Sequence, residues 1–138
     1  MSKTILGVDL GKARIGLAVG DEKLKTSLPL KVIRRSGDKA DIETIASVAA
    51  EYESDTLVLG FPLNIDGSES PGCDAARRFA ERLKERGFTV HLEDERLTTV
   101  EAKDLMREAG VSAKKSRGRL DMFAAAAILR SFFARFPQ

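Results

Sequence analysis

Apolar positions along this chain follow two rhythms, and the switches between them set out its elements. Ile5, Leu6 and Val8 make a short apolar run over residues 4–9, interrupted by Asp9, and a second run covers residues 14–20. With Gly11 to Ala13 as a tight connection, the two predict a hairpin. Thr26 to Arg34 alternates Leu28, Leu30 and Val32 with other residues, and Pro29 within it marks an edge strand or a bulge. Three strands joined by short turns predict an antiparallel meander. After Ser36-Gly37-Asp38 the period changes, and Ile42, Ile45, Ala46, Val48, Ala49 and Tyr52 recur at helical spacing. Thr56 to Gly60 is apolar throughout, as a parallel strand covered on both faces should be, and the loop Phe61 to Gly67 follows its carboxyl end. A helix with Ser70 as N-cap and Pro71 as first residue carries Ala76, Phe79, Ala80 and Leu83 on one face and closes at Gly87. Thr89 to Leu92 reads as a short strand with Glu93-Asp94-Glu95-Arg96 immediately after it. A capping-box pattern opens the next helix at Thr98 or Thr99, and Gly110 ends it. The last helix follows a basic loop and carries Leu120, Phe123, Ala124, Ala127 and Phe132.

This order predicts an α/β mixed sheet, three antiparallel strands followed by two parallel strands, with helices on both faces. At 138 residues, a single domain over 1–138 is expected. An apolar fraction of 43% and a charged fraction of 32% are those of a folded chain rather than a disordered or fibrous one. The net charge of +2 does not itself announce a nucleic-acid partner. The longest apolar run, Met122 to Leu129, is 8 residues, well short of the roughly 20 that a membrane-spanning helix needs. No membrane partner is therefore expected, and no secretory h-region precedes Asp9, so a cytoplasmic location is the default. One cysteine, Cys73, cannot form an internal disulfide; with His91 as the only histidine, it lacks a nucleophile's setting and reads as a small helix-face residue.

Chemistry enters through the carboxylates. A buried carboxylate on an apolar strand is costly unless a cation or a hydrogen bond compensates it, and Asp9 is such a residue. Acidic residues also stand after the last strand, at Glu93-Asp94-Glu95, and in the first turn of the last helix, at Asp121. Hard oxygen ligands meeting at element ends suit Mg²⁺ or Mn²⁺ and metal-assisted phosphodiester hydrolysis. The bland alternatives are a turn-capping role for Asp9, solvent exposure for the Glu93–Glu95 run, and a favourable helix-terminus interaction for Asp121. Asp94 is expected to pair with Arg96 or with backbone. Lys114, Lys115, Arg117 and Arg119 lie just before Asp121, where a held phosphate would be close to the carboxylates. Arg14, Asn64 and Arg96 are further candidates for substrate contact, while Asn64 and Asp66 with Gly67 equally suit a turn. Arg34-Arg35 and Arg77-Arg78 read as ordinary surface, His91 as structural, and Phe123, Phe132 and Phe133 as core or a subunit contact.

The motif Asp9-x-Gly11-x-x-Arg14-x-Gly16, the loop Gly60-x-Pro62-Leu63-Asn64-x-Asp66-Gly67, the run Asp94-Glu95-Arg96-Leu97-Thr98-Thr99, and Asp121 followed by Ala124-Ala125 together resemble the YqgF family, also called RuvX. The resemblance covers essentially the whole chain. It implies an RNase H-like fold and a metal-dependent nuclease using Mg²⁺ or Mn²⁺, with Asp9, Glu95 and Asp121 as catalytic ligands. Only the resemblance selects Glu95 from its acidic neighbours. It also implies a nucleic-acid substrate, either the small-subunit ribosomal RNA precursor or a four-way DNA junction. A symmetric junction would favour a homodimer. Two rivals are weighed against this reading. A phosphate-binding ATPase or kinase of the actin and sugar-kinase type shares the strand Asp-x-Gly but needs two domains, more than this length supplies; a non-catalytic nucleic-acid module would be free to lose the three carboxylates.

Overall fold

In the computed structural model, which describes residues 3–96, 98–111 and 118–135, both rhythms become elements close to their expected bounds. The strands are β1 (Thr4–Leu10), β2 (Arg14–Asp21), β3 (Thr26–Arg34), β4 (Thr56–Phe61) and β5 (Thr89–Asp94). The helices are α1 (Asp38–Glu51), α2 (Gly72–Glu85), α3 (Thr98–Glu108) and α4 (Leu120–Arg135). The strands form one sheet in the order β3-β2-β1-β4-β5. β1, β2 and β3 pair antiparallel, and β4 lies parallel to both β1 and β5.

Pro29 is both things its position suggested. β3 is an edge strand, and the β2–β3 register slips between Leu17 and Ala18, so that Leu17 faces Lys31 while Ala18 faces Pro29. Three element ends differ from expectation. α2 begins at Gly72 with Pro71 as its N-cap, and Ser70 Oγ accepts a hydrogen bond from the Gly72 amide at 3.3 Å. Tyr52 is not part of the α1 core stripe but caps its end. β5 runs on through Glu93 and Asp94, because pairing with Gly60 and Phe61 of β4 keeps the strand extended.

Alternation along the central strands divides the core. Leu6, Val8, Ile15, Leu17, Leu57 and Leu59 face α1 and α2, where they pack with Ile42, Ile45, Phe79 and Leu83. Ile5, Ala18 and Val58 face α4 and meet Ala125, Ile128, Leu129 and Phe133. α3 rests on α4 through Ala102, Met106 and Phe123. Burying a large aliphatic or aromatic side chain contributes about 1.5–3 kcal/mol, so the sheet is held from both sides.

α4 crosses the sheet almost in contact with its backbone. A Cβ at Gly16 would lie 1.9 Å from the Asp121 carbonyl oxygen, and one at Gly7 2.6 Å from that of Ala125. Ala124 to Ala127 supply small side chains on the helix. Glycines below and alanines above therefore let α4 lie low, with its first turn over β2 next to Asp9.

Candidate active site

Strand pleating places Asp9. Ile5 faces α4, Leu6 and Val8 face the other layer, and Asp9, one step past Val8, falls on the α4 side. Across β1 its neighbour is Gly16 of β2. On the other side Val8 pairs with Leu59, which puts Gly60 of β4 next in line. Two glycines thus flank the carboxylate, and each leaves room for an acidic residue. The Asp121 peptide sits where a Gly16 Cβ would be, and Glu95 Oε2 lies 2.6 Å from where a Gly60 Cβ would be.

Glu95 follows β5, its amide donating to the Phe61 carbonyl at 3.2 Å. Its carboxyl is in hydrogen-bond contact with that of Asp9, and both side chains are only partly open to water. Burial pushes Asp9 up to about 6; the hydrogen bond from Glu95 opposes that rise, and the charge of Asp121 adds to it. Burial also raises Glu95, to about 8, with the Asp9 charge, the shared hydrogen bond and Asp94 all acting in the same direction. Raised together and in hydrogen-bond contact, the two carboxyls hold a proton between them more tightly than either would alone.

Asp121, in the first turn of α4, takes a different partner. Its Oδ2 accepts from Arg14 Nε at 2.7 Å, an ion pair open to solvent on the arginine side. Among the described residues, no three His, Cys, Asp or Glu side chains stand close enough together to hold one ion as they lie. The arrangement is a protonated carboxyl pair with a third carboxylate tied back by arginine.

The neighbouring acidic residues separate cleanly. Glu93, on the same strand face as Glu95, is 2% exposed and accepts from Ser131 Oγ at 2.8 Å and from Arg135 Nε at 2.8 Å; it fastens β5 to the last turn of α4. Asp94 accepts from the Arg96 amide at 2.9 Å and from Arg96 Nε at 2.8 Å, both of the partners expected for it. Arg96 in turn donates to the Ile65 carbonyl at 3.3 Å, which binds the β4–α2 loop to the exit of β5. Asn64 and Asp66 close that loop on itself. The Gly67 amide donates to the Asn64 carbonyl, and Asp66 Oδ1 accepts from the Ser68 amide. Gly67 takes φ +91, a conformation glycine tolerates without strain. Asn64 is exposed at the same end of the sheet.

Arg119 is exposed, with its carbonyl capping into α4 through the Met122 amide at 3.1 Å. Lys114, Lys115 and Arg117 lie outside the described residues. His91 is exposed and rests its ring against Phe132 at 5.1 Å. Cys73 is buried on α2, directing its thiol to the Pro62 carbonyl at 3.6 Å. Phe123, Phe132 and Phe133 are core residues. Arg77 pairs with Glu69 at the surface. Arg35 is not ordinary surface: it is four-fifths buried in an ion network beneath the β1–β2 turn. Gly16 and Gly60 are site-forming residues whose spatial role the sequence signalled only as motif glycines.

A family model described as RuvX, Holliday junction resolvase, matches residues 3–135. The chain belongs to the RuvX family. A relative from Anaeromyxobacter sp. (strain Fw109-5), named "Putative pre-16S rRNA nuclease", is 50% identical over 128 residues, spanning 92% of this chain and 93% of its own. Among solved structures, the fowlpox virus resolvase in complex with Holliday junction DNA superposes with a TM-score of 0.59 at 14% identity, covering 98% of this chain and 99% of that one. RuvC of T. thermophilus in complex with its Holliday junction substrate gives a TM-score of 0.53 at 17% identity, covering 96% and 95%. The fold is thus RNase H-like, as the RuvX motifs implied.

Proposed function

We propose that this chain is a metal-dependent nuclease that hydrolyses phosphodiester bonds of structured nucleic acid through Asp9, Glu95 and Asp121. The observation that carries the reading is the contact of Asp9 with Glu95. Two carboxyls pressed together at the carboxyl ends of the strands, with a third beside them, are costly unless they serve to hold positive charge. The donor set is all oxygen, which fits Mg²⁺ or Mn²⁺. When bound, such ions supply an activated water and charge stabilisation for the leaving oxygen. The protein's own part is positional. Asp9 sits fixed between two glycines; to hold a cation, Glu95 would give up the proton it shares with Asp9, and Asp121 would turn from Arg14 towards the ion. Arg14, once released, is free to meet a phosphate next to the carboxylates, with Arg119, Arg96 and Asn64 around the same end of the sheet and Lys114, Lys115 and Arg117 in the segment before α4.

The high identity to a relative bearing a pre-16S rRNA nuclease name favours an RNA precursor over a four-way DNA junction as substrate. The test is cleavage of a labelled panel of precursor RNA ends, duplexes, single strands and junctions with Mg²⁺ or Mn²⁺, using Asp9→Asn as control. We expect cut RNA precursor with the wild type and a loss of at least about 10³-fold with Asp9→Asn at a Tm no lower than that of the wild type. Full activity in that variant would sink the assignment.

A further inference from the structure

Arg35 lies on the far side of the sheet from α4 and touches none of the three carboxylates. Even so, all three arms of its guanidinium are occupied. Nε donates to Asp41 Oδ2 at 2.7 Å, Nη2 to Asp38 Oδ1 at 2.5 Å, and Nη1 to the Gly11 carbonyl at 2.9 Å. Asp41 is 2% exposed, and its other oxygen accepts from the Ser36 amide at 3.0 Å. The guanidinium also lies over the Phe79 ring at 5.8 Å. The Arg35 amide adds one more link, donating to the Ala13 carbonyl at 2.9 Å. Two carboxylates from the first turn of α1 thus aim one arginine at the turn that carries the active-site strand into β2. That turn is short: Gly11 donates to Arg14 across it at 2.9 Å. Asp9 stands two residues before its Gly11 anchor point, and Arg14, three residues after it, grips Asp121.

We infer that Arg35, locked by Asp38 and Asp41, is the positioning residue that holds the Gly11–Arg14 turn in register, and through it fixes Asp9 and Arg14 relative to Asp121. A planar fork with donors in three directions is required, because two carboxylates and a carbonyl are engaged at once. A lysine ammonium carries the charge but cannot span all three in this geometry. Buried ion networks of this kind add little net stability, so fixing the turn is the role that accounts for it. Arg35 touches no substrate and acts only through the backbone.

The inference rests on the nuclease reading for its catalytic consequence, and the test separates the two. Arg35→Lys and Arg35→Met are compared with Ile45→Val, a core change on α1 that lowers stability without touching the turn. All are studied well below their melting points. The first readout is amide hydrogen exchange at Gly11 and at position 35, which needs no activity. The second is the split between kcat and KM on the RNA precursor substrate. We expect exchange at both amides to rise at least about tenfold in Arg35→Lys and Arg35→Met, and kcat to fall at least about tenfold with KM within about twofold, while Ile45→Val leaves both at wild-type levels. Wild-type exchange at Gly11 in Arg35→Lys, or a kcat no lower than that of Ile45→Val, would overturn the inference. A wild type that cuts nothing would defeat the nuclease reading alone, and exchange at Gly11 would still decide the role of Arg35 in the turn.

Discussion

At the residue scale, the site without a cation carries an unusual store of protons, and this has a measurable sign. In the unfolded chain the two carboxyls titrate near their ordinary values of 3.8 and 4.5, while in the fold they hold out to about 6 and about 8. Between those limits the folded state binds more protons than the unfolded one. Their contribution to stability is complete below about pH 4 and is lost as pH rises through 6 to 8. The Tm of the metal-free protein should therefore fall by roughly 5 °C or more between pH 5 and pH 8.5. Glu95→Gln keeps a donor toward Asp9 but cannot titrate, so it should flatten that slope; a Tm that climbs over the same range would show that no proton is shared. A cation held by Asp9 and Glu95 would have to displace the proton of the pair, so divalent affinity should strengthen up to about tenfold per pH unit between about 6 and 8, and more steeply below 6, where Asp9 also takes up a proton. Arg14 poses a separate question. Its pair with Asp121 is solvent-open, and such pairs contribute about 1 kcal/mol or less, weak enough for a cation to exchange. If Arg14 competes with the cation, Arg14→Gln should tighten Mn²⁺ binding about two- to fivefold in calorimetry. Unaltered binding would leave Arg14 a role toward phosphate only.

At the scale of elements, the site exists because α4 can lie against the sheet, and two glycines permit this in different ways. Gly16 makes room for backbone: its missing Cβ would sit 1.9 Å from the Asp121 carbonyl oxygen and 2.8 Å from the Met122 amide nitrogen. Helix backbone cannot rotate aside, so Gly16→Ala should lift α4, costing about 3 kcal/mol or more and lowering urea and thermal midpoints together. Gly60 makes room for side-chain tips, Glu95 Oε2 at 2.6 Å and Ile128 Cδ1 at 2.7 Å. Those ends can swing away. Gly60→Ala should thus cost only about 1 kcal/mol while separating Glu95 from Asp9, so that cleavage and the pH slope of Tm are lost in a protein that still folds. Equal losses of stability in the two variants would refute the distinction. The contrast also marks what the sequence made legible. Period-2 and period-3.6 patterns are local, and they placed every strand and helix to within a few residues. Asp9 and Asp121 stood out because carboxylates break apolar patterns or meet element ends, whereas Glu95 was singled out from its acidic neighbours only by the family resemblance. Gly60 read as the close of a strand, Glu93 as one of three equivalent acids, and Arg35 as surface, because each depends on what α4 or α1 brings across the sheet. Pairings between residues so far apart in the chain, as between Glu93 and Arg135 or Arg35 and Gly11, leave no mark on either segment alone.

At the scale of the whole molecule, the formal charge of +2 is too small to attract a polyanion broadly, and binding must depend on where the cations sit. Arg14 and Arg119, both exposed, flank Asp121, and Lys114, Lys115 and Arg117 precede it by only four to seven positions in the chain. The three carboxylates would repel a phosphate backbone if nothing balanced them, so a basic segment this close to Asp121 in the chain is the natural electrostatic partner of the site. Each phosphate neutralised on duplex releases counterions and adds about 0.9 to the slope of log affinity against log salt, and about 0.7 on a single strand. Replacing Lys114, Lys115, Arg117 and Arg119 together by Ala should therefore reduce that slope by about 3–4 on duplex substrates, measured by titration with the Asp9→Asn protein so that no strand is cut. A drop of only about 1, reproduced by Arg119→Ala alone, would assign the contact to the residue at the start of α4 rather than to the segment. An unaltered slope would remove the segment from the interface and leave the electrostatic footprint to Arg14 and Arg96.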